Sequence, residues 1–178
     1  LYARRGARLE PLQLGGEHER GRRAGTENVP GIVGLGRACE LAALDPAESM
    51  PRVARLRDRL EAELYSRIPD VIRHGERAPR APNTAHLSFP GIEGEHVILA
   101  LDMKGIAVSS GAACKAGSTH PSHVLLAMGV PAGVARGAVR FSLGRGTSDA
   151  EIDRVIEVLP GIVAGLRSAG SPAAPRPA

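Results

Sequence analysis

The stretch Ala138-Val139-Arg140-Phe141-Ser142-Leu143-Gly144-Arg145-Gly146-Thr147-Ser148-Asp149-Ala150-Glu151 decides how the chain folds. As a strand, 138–143 places Val139, Phe141 and Leu143 on one face and Ala138, Arg140 and Ser142 on the other. Ser148, with Glu151 three residues on, then reads as the capping box that opens a helix. Behind it runs an apolar stripe of Ile152, Val155, Ile156, Leu159, Ile162, Val163 and Leu166, in which Pro160 predicts a kink. A one-sided strand feeding an amphipathic helix belongs to an α/β domain.

Working upstream, the same signals recur. Val53, Leu56, Leu60, Leu64 and Ile68 repeat at helical spacing behind Ser49, a candidate cap, and strands are expected over 71–73 and 84–89 on either side of a Pro-rich connection. Pro90-Gly91 ends the second strand, and a helix over 95–104 closes at Lys104 and Gly105. A short strand over 106–108 and a loop of small residues over 109–118 follow, then a short helix over 121–128. From residue 49 the order predicts a small mixed or antiparallel sheet covered by helices. The tail from Ser168 reads as disordered.

Before residue 49 the pattern changes. Residues 1–3 read as a strand already under way that ends in a turn, so the chain is taken to be a fragment. The glycine-rich, charged stretch 15–26 reads as a loop. A helix then carries Ile32, Val33, Leu35, Ala38, Cys39, Leu41 and Ala42, with Thr26 or Asn28 as its cap and Pro30 in its first turn, and stops near Asp45-Pro46.

Composition excludes several functions. The 178 residues are 43% hydrophobic and 24% charged, which fits a soluble globular chain, and no apolar run approaches a membrane span. Aromatics are 2%, Tyr2, Tyr65, Phe89 and Phe141, too few to stack bases, and the net charge of +4 is dispersed, so nucleic acid is not an expected partner. Two cysteines make no disulfide framework and point to a reducing, cytoplasmic setting.

Four features bear on chemistry. Cys114 sits among glycines, alanines and serines beside Lys115, which favours the thiolate; the alternative is an incidental loop cysteine. Cys39, on the apolar side of its helix, reads as a buried structural residue. Arg140 has small neighbours on its face and suits a carboxylate, or else an ordinary surface ion pair. Thr26 offers a hydroxyl to an anion such as a phosphate, or serves as a plain cap. A metal set of Cys114, His120 and His123 is the weaker reading, because Pro121 separates the histidines.

These segments together resemble the cysteine desulfurases of the NifS/IscS type, pyridoxal-phosphate enzymes of fold type I in the class-V aminotransferase family. The resemblance rests on His18-Glu19-Arg20-Gly21-Arg22-Arg23-Ala24-Gly25-Thr26-Glu27-Asn28, on Asn83-Thr84, Ser88-Phe89-Pro90-Gly91 and Glu93-Gly94-Glu95, on Val108-Ser109-Ser110-Gly111-Ala112-Ala113-Cys114, on Pro121-Ser122-His123-Val124-Leu125, and on Val139-Arg140-Phe141-Ser142-Leu143-Gly144-Arg145. It implies that Cys114 attacks the sulfur of a cofactor-held L-cysteine, leaving a Cys114 persulfide and L-alanine. It further implies that Arg140 binds the substrate carboxylate and that Thr26 reaches the cofactor phosphate in the other subunit of a homodimer. The persulfide then goes to a sulfur acceptor or iron-sulfur scaffold protein. No metal is implied.

The Schiff-base lysine of that family lies in a His-Lys motif with no counterpart here, where the lysines are Lys104 and Lys115. On this resemblance, 1–44 is the end of the large pyridoxal-phosphate domain with its connecting helix, 45–168 the C-terminal small domain and 169–178 a tail, and the chain alone is inactive. A selenocysteine lyase-like enzyme and a non-catalytic persulfide carrier are the competing readings.

Overall fold

The glycine and capping signals of the first 46 residues are realised locally, without a core. In the computed structural model, residues 2–44, 46–110 and 121–170 are described, the side chains of 46–48 excepted. The chain divides into two compact units, Leu1–Pro46 and Ala47–Ala178.

In the first unit the expected turn is present: Gly6 takes φ +86° and the Ala7 N–H donates to the Arg4 carbonyl at 3.0 Å. The expected strand is not, because Tyr2 and Ala3 have no ladder partner among the described residues. The glycine-rich stretch 15–26 is more ordered than a loop. It forms an antiparallel hairpin, β1 (Glu17–His18) on β2 (Arg23–Ala24), joined by one 3-10 turn over Glu19–Gly21. Three successive left-handed residues, Glu19, Arg20 and Gly21, reverse the chain there. Helix α1 (Val29–Ala43) follows, with the Asn28 side chain accepting from the Gly31 N–H at 3.0 Å, so Asn28 and not Thr26 is its cap.

None of the residues of α1 is buried. Cys39, expected in a core, is therefore an exposed free cysteine, and Leu35 beside it is 62% exposed. The helical spacing is correct, but within its own unit no described apolar residue covers that face.

The second unit has a continuous core. Helix α2 (Pro46–Arg67) begins three residues before the expected cap, since proline suits the first helical turn. It buries Val53, Leu56, Leu60 and Leu64. The sheet is antiparallel in the order β3 (Ile72–Arg73), β4 (Thr84–Ser88), β5 (Ala138–Ser142). Its inner face, with Ala85, Leu87, Val139 and Phe141, belongs to the same core as α2, α3 (Gly94–Asp102) and α6 (Asp149–Gly170). Two short helices, α4 (His123–Ala127) and α5 (Ala132–Arg136), contribute Leu125 and Ala135 to a separate small cluster with Ala138. Helix α5 has no counterpart in the sequence reading, because Val134 is its one large apolar side chain and no stripe registers.

Two glycines fix how α3 meets the sheet. An added Cβ at Gly94 would lie 2.5 Å from the Ala138 carbonyl oxygen, and one at Gly137 would lie 2.4 Å from that of Phe89. Backbone packs on backbone at both points, which excludes any side chain.

The capping box of α6 is present: the Ser148 N–H donates to Glu151 Oε2 at 2.7 Å and the Glu151 N–H to Ser148 Oγ at 3.3 Å. The helix runs uninterrupted through Pro160 and on to Gly170, so Ser168 to Gly170 are helical where a tail is expected. Arg59 ties α2 to Asp149 and Asp153, and the buried Glu61 carboxylate holds Arg80 by two bonds of 2.7 and 2.9 Å, pinning the Pro-rich connection. The strand expected over 106–108 shrinks to a single antiparallel bridge between Ser109 and Arg140. No described helix is long and apolar enough to cross a membrane.

Candidate active site

Alternation along β4 and β5 leaves one face of the sheet polar. Thr84, His86 and Ser88 lie on it from β4, and Ala138, Arg140 and Ser142 from β5. The register then lines up four residues across the strands at one level. His74 follows β3 and donates its N–H to the His86 carbonyl at 2.9 Å, His86 opposes Arg140, and Arg140 bridges to Ser109.

The Arg140 N–H donates to the Ser109 carbonyl at 2.7 Å and its own carbonyl accepts from the Ser109 N–H at 3.1 Å. Both backbone groups of Arg140 thus face Ser109, which makes the His86–Arg140 pair the non-hydrogen-bonded kind, where opposed side chains stand closest.

This row is electrostatically unusual. His74 is buried, its Nε2 is 2.7 Å from Ser88 Oγ, and burial pushes its pKa down. The two imidazoles tilt towards each other with centroids 5.3 Å apart. Burial first, then the nearby His74 and Arg140, push His86 down to about 4, so it is uncharged at neutral pH. Arg140 Nε and His86 Nε2 are both buried without a hydrogen-bond partner among the described residues. A buried donor and a buried potential acceptor left open on one face mark a site built for something more than packing.

In the first unit, Thr26 is exposed, one residue after Gly25 with its φ of +82°. Arg23 holds the Gly25 and Thr26 carbonyls, and His18 Nδ1 lies 3.1 Å from Glu27 Oε1. That bond, with a backbone hydrogen bond of Glu27 itself, holds the Glu27 carboxyl below its ordinary range. Because Asn28 takes the cap, the Thr26 hydroxyl is not consumed by it.

Cys114, Lys115 and His120 lie outside the described residues. His123, the remaining member of the metal set, is exposed at the start of α4, and no group of three ligating side chains occurs among the described residues. Arg136 and Arg145 are solvent-facing, as expected. A groove of about 710 Å³ lined by Ile92, His96, Leu99, Met103, Arg136 and Leu166 contains none of Thr26, His86 or Arg140.

The family described as aminotransferase class-V matches residues 1–155. The chain belongs to the class-V aminotransferase family. Within this class-V family, it is 55% identical over 168 residues to the cysteine desulfurase of Nostoc sp., covering 94% of this chain. It is 51% identical over the same length to the cysteine desulfurase NifS of Azotobacter vinelandii. A solved NifS-like protein superposes with a TM-score of 0.79 at 36% identity over 93% of this chain. The chain spans about two fifths of the length of these relatives, 42% in each case.

The family implies pyridoxal phosphate. The side chains present fit the anionic ends of that cofactor and an amino-acid substrate: Arg140, a planar fork on an uncharged polar face, suits a carboxylate, and the exposed Thr26 hydroxyl suits a phosphate. A placed amine is missing from the described residues, since Lys104 is exposed in the turn after α3. His74 and His86 escaped the sequence reading. The alternation of Thr84, His86 and Ser88 with Ala85 and Leu87 was the signal that puts His86 beside a polar face.

Proposed function

We propose that the full-length protein carrying these residues is a cysteine desulfurase, which takes sulfur from L-cysteine and leaves L-alanine. Arg140 grips the substrate carboxylate, Thr26 holds the cofactor phosphate across a homodimer, and the Cys114 thiolate receives the sulfur as a persulfide. Pyridoxal phosphate, when bound, supplies the electron sink that loosens the substrate's carbon–sulfur bond. The observation that carries this reading is the Ser109–Arg140 bridge, which sets Ser109, five positions before Cys114 in the sequence, beside Arg140. Cys114 is the fifth residue after Ser109, which by chain length alone bounds its distance from Ser109 at about 18 Å.

The relatives' names support the assignment, and the polar, uncharged surroundings of Arg140 support a carboxylate ligand. In this reading 1–44 ends the large domain, 45–168 forms the smaller C-terminal one, and the enzyme is cytoplasmic and passes its persulfide to an acceptor or iron-sulfur scaffold protein. With only Lys104 and Lys115 available, the chain by itself does not turn over cysteine.

In the full-length enzyme, Cys114→Ser is expected to abolish persulfide formation from labelled L-cysteine; undiminished labelling would overturn the proposal. Alanine release by the isolated 178 residues with added pyridoxal phosphate would refute the claim of inactivity alone.

A further inference from the structure

An arginine presents its fork to a carboxylate productively only when the long side chain is held in one rotamer, because fixing it costs entropy. The two Nη groups carry the fork, while Nε lies at its base. In Arg140 that Nε is buried and has no acceptor among the described residues. The residue opposite, His86, has a buried Nε2 that is equally open, and the register puts the two at the position of closest side-chain approach.

Arginine Nε–H is an obligate donor, and the bare nitrogen of a neutral imidazole is an acceptor. Leaving both unpaired in the interior is costly, so a water that joins this donor to this acceptor is favoured.

We propose that His86 is a positioning residue for Arg140: its imidazole accepts the Arg140 Nε–H through one bridging water and so aims the guanidinium fork at the substrate carboxylate. The inference rests on Arg140 being the carboxylate-binding group. The side chains sharing the face are His74 beside β3, Thr84 and Ser88 on β4, Ser142 on β5 and Ser109 at the bridge, and none is acidic. No carboxylate of this row competes for the guanidinium. His74 is engaged with Ser88, and His86 is the imidazole directly opposite Arg140. The depressed pKa of His86 keeps that acceptor available at neutral pH.

Steady-state kinetics of the full-length enzyme with L-cysteine test it. His86→Phe, which keeps a ring and removes the acceptor, is expected to raise KM about tenfold with kcat within about twofold. His86→Gln, which returns an oxygen near the Nε2 position, is expected to restore KM to within about threefold. Should the phenylalanine variant not fold, His86→Leu carries the same expectation. Wild-type KM in the variant lacking the acceptor, alongside a raised KM in Arg140→Lys, overturns the role of His86 and leaves that of Arg140 standing. Equal losses in the phenylalanine and glutamine variants assign His86 to packing alone and also overturn it. An unchanged KM in Arg140→Lys removes the carboxylate reading itself.

Discussion

Helices α1 and α6 obey the same local rules and meet opposite fates. Both carry an apolar stripe and a side-chain cap at the N-terminus, Asn28 for α1 and Ser148 for α6. Yet α6 buries Ile152, Val155, Ile156, Leu159 and Val163, whereas α1 buries nothing. Helicity is set by residues three and four apart, while burial is set by partners far along the chain. A stripe therefore predicts a helix with more authority than it predicts a core.

The sharpest way to break this contrast is a matched pair of truncations. Leu60→Ala, at a fully enclosed position, is expected to cost about 3 kcal/mol, and Leu35→Ala, at an exposed one, less than about 0.5 kcal/mol. Urea unfolding of the chain followed by circular dichroism reads both, and equal losses would erase the distinction.

Titration separates the units next. His86 is neutral in the fold with a pKa near 4, against 6.5 for the free side chain. The unfolded chain therefore takes up the extra proton between those values, and stability present above pH 6.5 is lost as the pH falls towards 4. The His86 share of the loss is expected to be on the order of 2 kcal/mol and to be removed in His86→Gln, which keeps only the part due to the lowered His74, measured as the difference in urea midpoint between pH 7.5 and pH 4.5. In the first unit the shifted group is Glu27, partly exposed, and solvent screening leaves little dependence on pH there.

The smallest expected effects are those in which the two helices behave alike. Ser148→Ala and Asn28→Ala each remove one cap and are expected to cost about 1 kcal/mol of helix stability. Amide hydrogen exchange in the first turns of α1 and α6 is the measurement. A much larger loss at Ser148 would mean that the cap also serves the tertiary contact of α6 with Arg59.

The site divides along the same line. Arg140 is legible in the sequence because alternation over 138–143 sets it on the face opposite Val139 and Phe141. Its neighbours are not legible. Residues 74, 86, 109 and 140 are scattered over the sequence, and only the strand register brings them to one level. A shift of one residue would turn His86 towards the core and Leu87 towards Arg140. The glycine-rich stretch 15–26 misleads for a related reason: left-handed residues suit a loop and a tight hairpin equally, and strand pairing alone tells them apart.

The amino-acid order alone determined the long helices, the Ser148 cap of α6, the α/β class and the face on which Arg140 stands, because these depend on hydrogen bonds and side-chain spacing within about four residues. Tertiary structure decided that Cys39 lies in the open, that 106–108 contributes one bridge in place of a strand, and that an uncharged histidine sits against the arginine. Those outcomes turn on burial and register, which are properties of distant segments meeting, and no local pattern encodes them.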